Sequence, residues 1–306
     1  MEVIRKAAPN KKLALGLGYF DGIHIAHKKI ITLLIQQARQ KGIKSAIITF
    51  DKNPADYFND NKTPNIQTFK DRELLLSSLG VDYLYELDFE LYKDLSAKEY
   101  IENILIKNFE PELIIAGFNH TFGKNRTGDG ELLKELAKKY NYECTIVTEQ
   151  KYNEEQQVSS SIIRKKIEQG DLDGTKTLLG RSFSIRNSVI KGDKLASKLG
   201  YPTANIIWSD SLVKLPYGVY FGKVQIDSTI KPALISWGTK PTLTKGEEEI
   251  LEAHIYDFNE NLYGKIIKVI FEKKLRNQEN FGSILVLKTQ LQKDYSQFEK
   301  WAKLIT

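Results

Sequence analysis

The chain has 306 residues, room for two domains at about 150 residues each. Hydrophobic residues make up 41% and charged residues 27%, a globular balance that excludes a disordered polymer, and no apolar run is long enough for a membrane span. The net charge of +6 and a pI of about 9.0 admit nucleic acid, a membrane surface or a phosphorylated small molecule as partner, without choosing among them.

The elements read in chain order as follows. The start, Met1 to Lys6, has no apolar stretch followed by a small-residue cleavage site, so no signal peptide is expected. Leu13 to Gly18 is a short apolar run ending in glycine, a buried strand. Lys28 to Lys41 carries Ile30, Ile31, Leu33, Leu34, Ile35 and Ala38, which fits an amphipathic helix, and Gly42 ends the helix. A strand at 45–50, a helix at 71–79, a strand at 83–87, a helix at 97–108 and a strand at 113–116 follow. Then come a helix at 130–140 and a strand at 143–147. Strict alternation favours a parallel sheet covered on both faces. The lone cysteine, Cys144, excludes an internal disulfide and reads as a small core residue. A reduced, cytoplasmic setting is expected.

After Leu179 helical periodicity fades. Short β-rich runs at 219–226, 233–236, 250–256 and 265–271 predict a barrel or sandwich, and 283–304 predicts a closing helix. The expected boundary gives domains 1–182 and 183–306. Residues 183–306 hold 18 basic and 13 acidic residues, so most of the excess charge lies in the second half.

Four segments of the first half carry chemistry. Gly18-Tyr19-Phe20-Asp21-Gly22-Ile23-His24-Ile25-Ala26-His27 follows the first strand and opens the first helix. A glycine turn at a helix start brings backbone N–H groups to a phosphate, and two histidines three apart can face the same polyphosphate. The plainer reading, that the histidines only cap the helix, has against it that two of the four histidines stand at this one turn. The second segment is Thr49-Phe50-Asp51-Lys52-Asn53-Pro54, a loop after the next strand. The third runs from Ala116 through Gly117, Asn119, Gly123 and Arg126 to Asp129. The fourth, Val158-Ser159-Ser160-Ser161-Ile162-Ile163-Arg164, has serines suited to an N-cap and an arginine able to hold a phosphate by two bonds. In the second half, Gly200-Tyr201-Pro202-Thr203-Ala204-Asn205 offers Thr203 and Asn205 oxygens to a hard cation, and Glu252 stands in a later strand.

Taken in order, G-x-F-D-G-x-H-x-x-H, T-F-x-x-x-P, G-F-x-x-x-F-G…R-x-G-D, S-S-x-x-I-R and then P-T-A-N, the chain resembles the bacterial FAD synthetases, the bifunctional riboflavin kinase/FMN adenylyltransferase proteins. The resemblance covers almost the whole sequence. It implies an N-terminal Rossmann-like nucleotidyltransferase with a parallel sheet, and a riboflavin-kinase-like β-barrel with a terminal helix. It also implies transfer of AMP from ATP to FMN, giving FAD and pyrophosphate with Mg2+. His24 and His27 should meet the ATP phosphates, with Arg164, Ser160 and Ser161 closing over them. Gly18, Phe20, Asp21, Gly22, Asn53, Gly117, Asn119 and Arg126 should line the nucleotide and flavin sites. In the kinase module Thr203 and Asn205 would serve magnesium-ATP and Glu252 would be the base toward the ribityl hydroxyl.

The sequence departs from the family pattern at named positions. Ala26 replaces a glycine between the histidines, and Asn53 stands where a histidine is usual. Asn119 replaces a common aspartate, and Ser161 a threonine. The kinase phosphate loop departs further: Lys194 and Ala196 replace glycines, and Ser197 an arginine. Side chains there obstruct backbone cradling of phosphate, so FMN adenylylation is the expected activity and the riboflavin kinase activity is in doubt. A fully bifunctional enzyme is the first alternative. A flavin-binding regulatory role for the second half is another. No nucleic-acid motif accompanies the charge, so the expected partners are small molecules, not nucleic acid or membrane. Oligomeric state is not legible.

Overall fold

In a computed structural model the described residues are 1–6, 12–57, 62–149, 151, 157–192, 201–242 and 246–305. They form two compact units, residues 1–65 with 69–160, and residues 66–68 with 161–306.

The first unit is a six-stranded parallel sheet, β1 (Glu2–Ile4), β2 (Leu13–Leu17), β3 (Lys44–Phe50), β4 (Tyr83–Leu87), β5 (Leu113–Gly117) and β6 (Glu143–Val147), in the order β1-β4-β3-β2-β5-β6. Parallel strands are buried on both faces and therefore read as continuous apolar runs. On one face Ala14, Ile47, Leu84 and Ile115 pack with α1 (Ile25–Lys41) and α2 (Phe69–Leu79). On the other, Leu15, Ile48, Tyr85 and Ile114 pack with Tyr100, Leu105, Phe109 and Leu133. Gly16 is needed where α1 crosses β2, because a Cβ there would stand 2.8 Å from Ile47 Cδ1 and 2.9 Å from Leu34 Cδ2.

Two short helices, α3 (Phe89–Tyr92) and α4 (Ala97–Glu99), follow β4. The helix expected over 97–108 is α-helical only at its ends: Tyr100–Ile106 is a π-helix between α4 and α5 (Lys107–Phe109). α6 (Gly130–Tyr140) begins on an Asp129 cap, whose carboxylate accepts from the N–H groups of Glu131 and Leu132. Cys144 is half-buried at the rim of the core, not within it, and burial pushes its thiol up to about 11. β1 was not anticipated.

The second unit holds α7 (Ser160–Glu168) from its second residue on, α8 (Leu172–Leu179), a closed barrel and α9 (Ile284–Ile305). The barrel strands are β7 (Ser184–Ile190), β8 (Ala204–Ile206), β9 (Gly218–Ile226), β10 (Thr229–Thr242), β11 (Gly246–Ile255) and β12 (Ile266–Asn277). They close in the order β10-β11-β8-β7-β12-β9, with every pairing antiparallel. Its interior is aromatic: Phe183, Trp208, Trp237 and Phe271 stack within it. Trp237 is fully buried here, and its indole N–H donates to the Leu215 carbonyl at 2.9 Å. α9 docks through Phe298 and Ala302, and through buried Asp294, which takes a forked bond from Arg276 at 2.7–3.1 Å. Among the described residues no helix is long and apolar enough to cross a membrane.

Candidate active sites

In the parallel sheet, β3 and β4 lie to one side of β2, and β5 and β6 to the other. The crevice beyond the carboxyl ends of β2 and β5 is therefore a switch point, where open α/β sheets bind ligands. The segments from Gly18 and from Gly117 leave the sheet there, since Leu17 pairs with Ala116.

The turn after β2 is strained. Phe20 has φ 55°, Gly22 φ 79° and Ile23 φ 36°, all left-handed. For a β-branched residue such a φ costs on the order of 1–3 kcal/mol and persists only where the surroundings impose it. Phe20 and Ile23 are buried, and the Ile23 N–H donates to the Phe20 carbonyl at 3.3 Å. Ser160 Oγ donates to the Asp21 carbonyl at 2.9 Å, which ties the serine motif to this turn.

His24 caps α1: its Nδ1 accepts the His27 N–H at 3.3 Å. The capping reading thus holds for His24, and it has a chemical consequence. With Nδ1 as acceptor, the neutral ring carries its hydrogen on Nε2. The His27 ring stacks on His24 at 3.6 Å and 16°, with Phe20 edge-on at 5.1 Å. Burial, then the neighbouring His24, then Arg72 hold the His27 pKa well below the usual histidine range, so the ring is neutral at pH 7. Among the described residues, His27 Nδ1 is buried without a hydrogen-bond partner. The α1 N-terminus has no acidic residue in its first turn, which suits an anion. Ala26 is the second residue of α1 and has no positive φ, so glycine is not required there by conformation.

Asn53 is half-buried in the loop after β3, and its carbonyl accepts the Asp56 N–H at 2.9 Å. Gly117 ends β5, Asn119 is exposed just beyond it, and a Cβ on Gly117 would lie 3.4 Å from Asn119 Oδ1. Arg126 is exposed, with φ 57°. Ser161 and Arg164 lie further along α7 and belong to the second unit.

Arg72 on α2 was missed by the motif reading. It is 4% exposed. Its Nη1 donates to the Tyr19 carbonyl and, at 3.3 Å, to Thr49 Oγ1, while the guanidinium lies 4.4 Å from the centre of the Tyr19 ring and 4.9 Å from that of Phe69. The available signal was its spacing: Phe69, Arg72, Leu76 and Leu79 form one stripe, with a charge at an apolar position.

In the barrel, Asn205, Glu252 and Ser236 form one cross-strand row over β8, β11 and β10. Asn205 is buried, and among the described residues its Oδ1 has no hydrogen-bond partner. An orphaned amide oxygen beside a carboxylate, with the half-buried hydroxyl residue Thr203 two positions away, is a hard oxygen set that fits Mg2+. The Pro202 carbonyl accepts from His254 Nδ1 at 2.8 Å, which pins this loop to β11. A Cβ on Gly192, the first glycine of the expected phosphate loop, would overlap the Asn205 amide at 2.4–2.6 Å, so a side chain there would displace Asn205. Lys194, Ala196, Ser197 and the rest of that loop lie outside the described residues.

Residues 6–162 match the FAD synthetase family and residues 179–302 the riboflavin kinase family. A Buchnera aphidicola (Schizaphis graminum) protein named bifunctional riboflavin kinase/FMN adenylyltransferase is 34% identical over 97% of this chain and 96% of its own length. A Bacillus subtilis protein of the same name is 33% identical, over 92% of this chain and 90% of its own. A crystal structure from Streptococcus pneumoniae, described as a macrolide-efflux protein, superposes with a TM-score of 0.84 at 30% identity over 98% of each chain. With both halves matched in order and relatives aligned over nearly the whole length, the chain belongs to the bifunctional riboflavin kinase/FMN adenylyltransferase family.

Proposed function

We propose that the first half, taken as residues 1–182, transfers AMP from ATP to FMN. The observation that carries this reading is the stacked His24–His27 pair on a strained turn at the switch point of the sheet. An FMN phosphate oxygen attacks the α-phosphorus of ATP. The new P–O bond gives FAD, and the bond to the β-phosphate oxygen breaks to release pyrophosphate. No protein nucleophile is needed, so catalysis is positioning plus stabilisation of charge on the phosphoryl oxygens. His24 and His27 donate to those oxygens, His27 as a neutral ring, and the α1 N-terminus adds its dipole. Ser160 holds the turn. Gly18, Phe20, Asp21 and Gly22 shape it, and Asn53, Gly117, Asn119 and Arg126 line the nucleotide and flavin. Ser161 and Arg164 as phosphate contacts rest on their motif alone.

A second reading, a working riboflavin kinase in residues 183–306, is favoured by the orphaned Asn205 Oδ1 beside Glu252. Thr203 and Asn205 would hold magnesium, which draws charge from the ATP phosphates when bound. Glu252 would take the proton of the ribityl hydroxyl. The losses at Lys194, Ala196 and Ser197 act against this activity. Separate incubations with riboflavin and with FMN, each with ATP, test both readings. FAD from FMN supports the first, and FMN from riboflavin supports the second. If riboflavin is not phosphorylated, Lys194→Gly with Ala196→Gly and Ser197→Arg asks whether the loop alone is at fault.

A further inference from the structure

The turn that presents the histidines needs something to hold it, and the chain's own motif does not supply it all. Tyr19 stands between the end of β2 and the turn in which Phe20, Gly22 and Ile23 are left-handed. Its carbonyl receives two donors from other elements: Thr49 Oγ1 at the end of β3, at 3.2 Å, and the Arg72 guanidinium from α2. Arg72 also donates to Thr49, so three groups form one triangle under the turn. The guanidinium lies against the Tyr19 and Phe69 rings, and Tyr19 OH donates to Asn65 Oδ1 at 3.0 Å.

Arg72 is buried, yet among the described residues no carboxylate lies within ion-pair distance of it. Glu86, which pairs with Thr49 across β3 and β4, feels the Arg72 charge but takes its own close bond from Arg5 at 3.1 Å. A buried cation without a contact carboxylate is costly, and hydrophobic packing alone would favour leucine or methionine on this stripe. A lysine ammonium could reach the carbonyl and the hydroxyl, but only a planar, weakly hydrated guanidinium can do so while lying flat against the Tyr19 and Phe69 rings.

We propose that Arg72 is a positioning residue for adenylyl transfer: through the Tyr19 carbonyl and the Thr49 hydroxyl it locks the turn that aims His24 and His27 at the ATP phosphates. The inference rests on the adenylyltransferase reading and deepens it. Its cationic charge also counts among the influences that keep the His27 ring neutral, after burial and His24.

The chain has four histidines, so histidine-labelled full-length protein gives a ring NMR spectrum simple enough to follow beside the kinetics. Arg72→Lys and Arg72→Met should each lower kcat for FAD formation at least tenfold while KM for ATP moves less than threefold. The His24 and His27 ring signals should shift, and those of His120 and His254 should stay. Thr49→Val, which removes one corner of the triangle with little change of shape, should cause a smaller loss with the same two signals displaced. It decides the matter if the Arg72 variants fail to fold. Folded variants with kcat within threefold of wild type, or with unmoved His24 and His27 signals, overturn the proposal. If the wild-type protein makes no FAD, the adenylyltransferase reading fails, and the ring signals still decide whether Arg72 holds the turn.

Discussion

His120 offers a quantitative test of the electrostatics at the β5 end of the crevice. Its ring stacks on Phe122 at 5.7 Å and 25°, and its Nε2 is buried with no hydrogen-bond partner among the described residues. Burial lowers its pKa from 6.5 to about 4. The folded state therefore favours the neutral ring, while the unfolded chain takes up a proton below about pH 6.5. The sign follows: the stability contribution is complete above the unfolded pKa and is lost as pH falls toward the folded one. Linkage over that displacement gives a loss of about 2 kcal/mol by pH 5 and about 3 kcal/mol in the limit. His120→Phe removes both the proton uptake and the orphaned nitrogen. It should stabilise the first unit by about 1 kcal/mol at pH 8, and by about 3 kcal/mol at pH 5. Urea melts at the two pH values measure this. All three tryptophans, Trp208, Trp237 and Trp301, lie in the second unit. Far-UV CD should therefore report the shift while tryptophan fluorescence does not. An equal gain at both pH values would refute a depressed His120 pKa.

Other outcomes follow from the two sites. His24→Ala or His27→Ala should lower kcat for FAD formation by about 10²–10³, as loss of one preorganised donor does, with riboflavin phosphorylation as the internal control. Asn205→Ala or Glu252→Gln should abolish any FMN formation from riboflavin and leave FAD formation from FMN unchanged, which one chromatographic assay reads. Asp294→Ala strips the half-buried Arg276 of its forked partner, and Asp294 is 1% exposed. It should destabilise the barrel unit by about 3–5 kcal/mol, seen as an earlier tryptophan transition in urea.

The sheet was legible because parallel strands are continuous apolar runs bounded by glycine and polar residues. Leu13–Leu17 and Leu113–Gly117 could hardly read otherwise. β1 and β8 were not legible: three residues each carry no period, and Ala204–Ile206 sits inside a motif read for its oxygens. The π-helix at 100–106 leaves the apolar spacing almost unchanged and so hides inside an α-helical pattern. His24 and His27 were legible as a pair, but not the burial that keeps the His27 ring neutral, to which the charges of His24 and Arg72 add only once the chain is folded. Arg72 itself has no motif, because its partners are a carbonyl and a hydroxyl contributed from two other elements.

The most direct measurement is product analysis of the full-length protein with FMN, ATP and Mg2+, by chromatography and 31P NMR. The account predicts FAD and pyrophosphate in equal amounts, and a rate that collapses in His27→Ala. FMN recovered unchanged beside intact ATP, or FAD formed at an undiminished rate by His27→Ala, would contradict it.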